Sequence, residues 1–249
     1  MNYFQGNLNK ADYHDFPQKT VSVNISAKNR TLYPTVTGTS VLGVKFDGGV
    51  IIGADNLGSY GSLARFRGCE RVMKVNDTTI LGASGDYADY QHLKGIIEQK
   101  VVTEECLDDG FNLTPKSLFS WLRMLMYSKR SNFDPLWNTT IIGGLENNEP
   151  FLGYVDKIGT AYESTAVGTG YGAYIALPLL REATDHKPPL TEQQALDLME
   201  KCFRVLYYRD ARSLNKYQVA IVTKDGCRIL SDKRVNDDWS IAPMVRGYE

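Results

Sequence analysis

"TVTGTSVLGVKFDGGVIIGADN", residues Thr35 to Asn56, is the stretch from which the rest of the chain can be read. Val41–Phe46 and Val50–Ala54 are short runs rich in Val and Ile, residues that suit a pleated, half-buried surface. Asp47-Gly48-Gly49 between them supplies the positive φ that a tight hairpin needs. Gly38 precedes Thr39-Ser40, which opens the first run, and Asp55 closes the second. The pattern predicts an antiparallel hairpin with Thr39 as a strand residue at its start. It also raises a chemical question: whether Thr39 could be released as a new N-terminus and act as a nucleophile.

Working outward, Ser59 to Gly68 reads as a looser segment carrying Arg65 and Arg67. Val72–Val75 and Thr78–Ser84 flank the turn signal Asn76-Asp77. Two helices are predicted next. Tyr87–Val102 places Leu93, Ile96, Ile97 and Val101 on one face. The second begins with Thr114 as N-cap and Pro115 at its first position, with Leu118, Trp121, Leu122 and Leu125 as its stripe. Strands follow at Thr139–Leu145, Phe151–Val155 and Thr160–Val167, with turns at Asn147-Asn148 and near Gly159. Gly170 to Thr184 is an apolar helix with Pro178 inside it, so a kink or an offset start is expected. Thr191-Glu-Gln-Gln194 matches a capping box ahead of a helical face formed by Ala195, Leu198, Met199, Cys202, Val205 and Leu206. Val219–Val222 and Cys227–Leu230 make a last hairpin, and Asp232 to Glu249 holds no clear element.

Strands, two helices, strands, two helices, strands is not βαβ alternation, so a doubly wound parallel sheet is disfavoured. Hairpin-linked strands imply antiparallel sheets, and paired helices imply layers that cover sheet faces. The class is α+β, with two sheets stacked between two helix layers.

The chain has 249 residues, 43% of them hydrophobic, which suits one large domain or two small ones. Lys+Arg total 28 against 29 Asp+Glu, a formal net charge of −1, so neither nucleic acid nor a membrane surface is an expected partner. No apolar run reaches the length of a spanning helix, and the polar N-terminus lacks the apolar centre of a signal peptide. The 4 cysteines show no C-x-x-C spacing, in keeping with a reducing compartment. Cytoplasm and nucleus are therefore expected.

Only 3 histidines exist, His14, His92 and His186, and none has ligand or triad spacing, so neither a metal nor any other cofactor is expected. Gly168-Thr169-Gly170-Tyr171-Gly172 lies where a phosphate cradle would, but its G-x-G-x-G spacing outside a βαβ unit favours a tight strand-to-helix turn. Thr39 remains. A threonine hydroxyl needs a base, and a cut at Gly38-Thr39 would supply the freed α-amine. Such a site also needs a cation, an aspartate to hold it, and N–H donors for an oxyanion.

"GTSVLGVKFDGGVIIGAD", "GASGDYAD", "VGTGYG" and "YYRDARS", in that order, resemble the proteasome beta-subunit family over Thr39 to about Leu230. The fold implied is the αββα sandwich of N-terminal nucleophile hydrolases. The resemblance places Thr39 at the nucleophile, Asp55 at the aspartate, Gly85 at the oxyanion glycine, Thr169 where active members usually have serine, and Asp210 and Ser213 at the supporting pair. The lysine position falls on Arg71. An arginine stays charged and cannot shuttle a proton, and it would bind Asp55 in a forked geometry. Gly38-Thr39 is then expected to stay intact and the site to be silent, as in a non-catalytic member.

That resemblance further implies a propeptide over residues 1–30, cut between Arg30 and Thr31. A short extension over 31–38, the beta-type domain over 39–231 and a C-terminal tail over 232–249 would follow. The tail would offer Trp239, Ile241, Met244 and Tyr248 to beta subunits of the opposite ring. Implied partners are the other alpha and beta subunits of a barrel of four seven-membered rings, and assembly chaperones. Two readings compete: an active threonine peptidase, which requires a free Thr39, and a free-standing nucleotide-binding or other αβ module.

Overall fold

In the computed structural model, residues 33–110, 112–245 and 247 are described. The Thr35–Asn56 stretch forms three strands, β1 Val36–Gly38, β2 Val41–Phe46 and β3 Gly49–Asp55. β2 and β3 pair antiparallel from Val41↔Ala54 to Phe46↔Gly49, and Gly48 turns the chain at φ 77°. Their Val/Ile runs do not alternate with polar residues because both faces are covered. Leu42, Val44, Phe46 and Ile51 point into one core, and Val41, Val50 and Ile52 into another.

The remaining elements are β4 Gly58–Tyr60, β5 Leu63–Phe66, β6 Val72–Asn76, β7 Thr79–Asp86, α1 Tyr87–Leu107, α2 Pro115–Ser131, β8 Asn138–Glu146, β9 Glu149–Val155, β10 Ala161–Glu163, β11 Ala166–Gly168, α3 Gly172–Ile175, α4 Leu177–Thr184, α5 Glu192–Arg209, β12 Lys216–Thr223 and β13 Gly226–Arg234. The strands make two antiparallel sheets. The larger runs β10-β9-β8-β7-β1-β4-β5, with β6 also on β7, and the smaller runs β11-β2-β3-β12-β13. One core lies between the sheets, built from Val41, Ile52, Ile80, Ile141, Leu152 and Ala220. A second joins the larger sheet to α1 and α2 through Leu93, Ile97, Leu118, Leu122 and Phe151. A third joins the smaller sheet to α4 and α5 through Leu180, Met199, Cys202, Phe203 and Ile221. Helices, sheet, sheet, helices is the four-layer sandwich expected from the element order.

Local chemistry sets the helix ends. Thr114 caps α2 through Ser117 N–H, with Pro115 in the first turn. Thr191 and Gln194 form a reciprocal capping box on α5. Pro178 starts a new helix in place of kinking one: α3 ends at Ile175 and α4 begins at Leu177.

Four expectations need correction. Ser59–Gly68 is not loose but holds the β4–β5 hairpin, which a three-residue strand and a four-residue exposed strand leave without a clear sequence period. Thr160–Val167 is not one strand. Ser164 N–H donates to Leu152 O in the larger sheet, whereas Thr165 O accepts from Lys45 N–H in the smaller one. The chain therefore changes sheets between β10 and β11. The segment beginning at Asp232 is not without structure at its start, because β13 continues to Arg234 with Lys216↔Arg234 and Tyr217↔Lys233 paired, past Asp232 at φ 62°. The fourth correction concerns Thr39.

Candidate functional site

Thr39 is not a strand residue. Thr39 and Ser40 form the short link between β1 in the larger sheet and β2 in the smaller one. A link between sheets cannot keep the ladder partners of either, so its carbonyls must find donors elsewhere. Arg71, just ahead of β6 and 1% exposed, provides them. Its Nη1 donates to Thr39 O at 2.9 Å and to Ala83 O at 3.3 Å. Its Nη2 donates to Ser40 O at 3.1 Å and to Asp55 Oδ1, and its Nε donates to Asp55 O at 3.1 Å. A guanidinium has five N–H donors, and each one here has an acceptor. The backbone N–H of Arg71 donates to Gln218 Oε1 at 3.1 Å, fixing the base of the side chain against β12.

The expected fork on Asp55 takes another form. Arg71 grips one carboxylate oxygen and the main-chain carbonyl of Asp55, and Oδ2 accepts from Leu214 N–H at 3.1 Å. Burial pushes the Asp55 carboxyl up to about 6, while the Arg71 charge and the Leu214 N–H pull it back. The long guanidinium arm also explains Gly38: a Cβ there would collide with Arg71 Cδ. Gly85 sits at φ 95°, and a Cβ there would strike Trp137 O.

The other expected site residues converge on the same link. Thr39 Oγ1 donates to Asp210 Oδ2 at 2.6 Å, and Asp210 Oδ1 accepts from Arg212 N–H at 2.9 Å. Ser213 Oγ donates to Asp210 O at 2.8 Å and Leu206 O at 3.0 Å, closing the C-terminal end of α5. Thr169 does not reach Thr39; its Oγ1 accepts from Val41 N–H at 2.9 Å and extends the β11–β2 pairing. Ser40 Oγ accepts from Gly172 N–H at 2.8 Å and ties the link to the start of α3. Sequence reasoning missed Ser40 and Gln218. Gln218 had a signal: it is a polar residue in the otherwise apolar run of β12, and it is 2% exposed.

Chemically, the arrangement restrains Thr39 on all sides. Its nitrogen lies in the peptide from Gly38, its hydroxyl is held by Asp210, and its carbonyl by Arg71. No guanidinium N–H is left to meet developing charge. Upstream, Thr37↔Asp86 and Gly38↔Gly85 pair β1 with β7, and Val36↔Tyr60 pairs it with β4, so residues 36–38 are an interior strand of the larger sheet. Outside the link lies a cleft of about 690 Å³ between Thr37–Thr39, Ser84-Gly85, Tyr171 and Arg209–Arg212.

Arg30 and Thr31 fall outside the described residues, as does Tyr248. Trp239 packs edge-on against Tyr207 and Tyr208 of its own α5, with centroids 5.9 and 5.0 Å away, and Asp238 N–H donates to Tyr208 Oη at 2.6 Å. Ile241 and Met244 are 66% and 76% exposed around the 3₁₀ turn Ala242–Met244. Among the described residues no group of three or more His, Cys, Asp or Glu is placed to hold a metal. No helix of the described residues is long and apolar enough to cross a membrane.

Comparison with known proteins adds an independent line. The family described as Proteasome, proteasome subunit, matches residues 35–222. Proteasome subunit beta type-4 of Xenopus laevis is 58% identical over 219 residues, covering 88% of this chain and 90% of that protein. Proteasome subunit beta type-4 of Dictyostelium discoideum is 43% identical over 212 residues, covering 85% and 82%. Proteasome subunit beta type-7 of Saccharomyces cerevisiae is 41% identical over 247 residues, covering 95% and 92%.

Proposed function

The chain belongs to the proteasome subunit family, and from that premise we propose that it is a beta subunit with no peptidase activity of its own. Its place is structural: it fills a position in the 20S core particle, which degrades ubiquitin-tagged and unfolded proteins, and helps that particle assemble. Likeness to relatives named beta type-4, covered over 90% and 82% of their length, supports this reading.

The observation that carries it is the saturation of Arg71. An active site of this kind needs a cation with a free proton or a free donor beside the threonine. Here every donor of the cation serves the chain's own carbonyls and Asp55. The strand ahead of Thr39 supports the same conclusion. Cleavage at Gly38-Thr39 would sever β1, which is paired on both sides, from β2.

As a family member the protein assembles with other proteasome subunits. In our reading it occupies one place in a seven-membered beta ring within a barrel of four rings, in cytoplasm and nucleus, after help from assembly chaperones. Ring contacts join unlike faces, so each side recognises a different neighbour. Processing falls between Arg30 and Thr31, leaving residues 31–38 as an extension that ends in β1. The tail, with Trp239, Ile241, Met244 and Tyr248, reaches beta subunits of the opposite ring.

The test is the mature N-terminus. Purified particles are treated with a covalent threonine-directed inhibitor, and this chain is read by intact mass and N-terminal sequencing. A start at Thr31 with no adduct is expected. A start at Thr39 carrying the inhibitor would make the chain an active threonine peptidase and end the proposal.

A further inference from the structure

A silent nucleophile does not require a filled cleft, and this one is open. Its volume of about 690 Å³ falls within the range of about 300–1,000 Å³ typical of small-ligand sites. Gly38, Gly85 and Gly170 contribute no side chains to its lining, so a ligand backbone can approach closely. Tyr171, 60% exposed, stands at one side as a broad wall.

The charge of the cleft is uneven. Arg209 and Arg212 both line it, and among the described residues neither forms an ion pair. Among the described residues the one acid in the lining is Asp210, which is 5% exposed and engaged through both oxygens, by Thr39 Oγ1 and by Arg212 N–H. Two uncommitted guanidiniums thus border a cleft whose only carboxylate among the described residues is turned inward. A guanidinium is a planar donor matched to a carboxylate, and a cleft focuses the field of such groups.

We propose that this cleft is a non-covalent docking site for peptide carboxylates, with Arg209 and Arg212 as the anion-binding pair. The proposal rests on the silent-site reading only in that the bound peptide is held and not acylated. The carboxylate has two possible sources, the free C-terminus of a cleaved peptide or the side chain of an acidic residue.

The experiment uses whole particles whose active threonines have been blocked by the covalent inhibitor. Three photo-crosslinking peptides of equal length are compared: one with a free C-terminal acid and no acidic side chain, one C-terminally amidated with an internal Glu, and one amidated and neutral. Crosslinks to this chain are mapped by mass spectrometry. Labelling near Thr37–Thr39 or Ala211 is expected from at least one carboxylate peptide, at least about tenfold above the neutral one, as fits loss of a charge-assisted hydrogen bond. The two carboxylate arms identify the source. Particles carrying Arg212→Gln should lose most of that excess. Equal labelling by the neutral peptide, no labelling in the cleft, or an unchanged excess in Arg212→Gln would overturn the proposal. An inhibitor adduct on Thr39 in the blocking step would instead overturn the silent-site reading, and the two failures are read from different masses.

Discussion

Arg71 shows how one residue can close a site and hold a fold at once. Arg71→Lys keeps the charge but brings three donors where five are used, so at least two buried acceptors lose their partner. At about 1–3 kcal/mol for each unsatisfied buried group, the variant should be clearly destabilised. We expect a lower midpoint in chemical denaturation, less incorporation into particles on native gels, and no new hydrolysis. Gain of threonine-dependent cleavage by Arg71→Lys alone would contradict the account. Thr39→Ala makes the complementary case. It removes the hydrogen bond to Asp210, worth about 1 kcal/mol, and should leave peptide hydrolysis by the particle nearly unchanged. A large loss in a standard fluorogenic-peptide assay would count against a silent Thr39.

Among the elements, α5 is the one whose sequence and structure agree most closely, and it yields a clean chemical test. Its face buries Cys202 among Ala195, Met199, Phe203 and Leu206, and burial pushes the Cys202 thiol up to about 12. Cys106, near the end of α1, is exposed. In the folded chain a maleimide at pH 8 should label Cys106 promptly and leave Cys202 untouched until denaturant is added. The sign is fixed: raising the pH toward about 12 is needed before the Cys202 thiolate forms, so its native labelling stays slow through pH 9. Fast labelling of Cys202 in the native chain would mean that α5 does not seal this core. The capping box makes a smaller claim: Thr191→Ala should cost about 1 kcal/mol and lower the Tm by a few degrees.

For the molecule as a whole, the tail needs its boundary moved before it can be tested. Removing everything from Asp232 would cut β13, whose last residues pair with Lys216 and Tyr217, and would also remove Val235, which is 4% accessible and bonded through its N–H to Asn215 O. Truncation from Asp237 spares these contacts. We expect that variant to fold, with a Tm a few degrees lower because Trp239 no longer packs on Tyr207 and Tyr208, but to slow the joining of half-particles, seen as accumulated half-particles on native gels. Normal joining would remove the tail from the assembly role.

Much of this protein was legible from local pattern. The β2–β3 hairpin is written in two Val/Ile runs around Asp47-Gly48, and α2 and α5 in their caps and stripes, because turns, caps and periods depend on residues a few positions apart. The family resemblance placed Thr39, Asp55, Arg71, Asp210 and Ser213 at one site, and the structure brings them together. What local pattern could not carry is where the chain changes sheets. Thr39-Ser40 and Ser164-Thr165 look like strand, yet each sits between two sheets, and only their distant hydrogen-bond partners say so. Nor could sequence show that all five donors of Arg71 are occupied, since its acceptors come from three separate stretches of chain. Propensity is a property of neighbours along the chain. Satisfaction of buried polar groups is a property of neighbours in space, and only the folded arrangement supplies them.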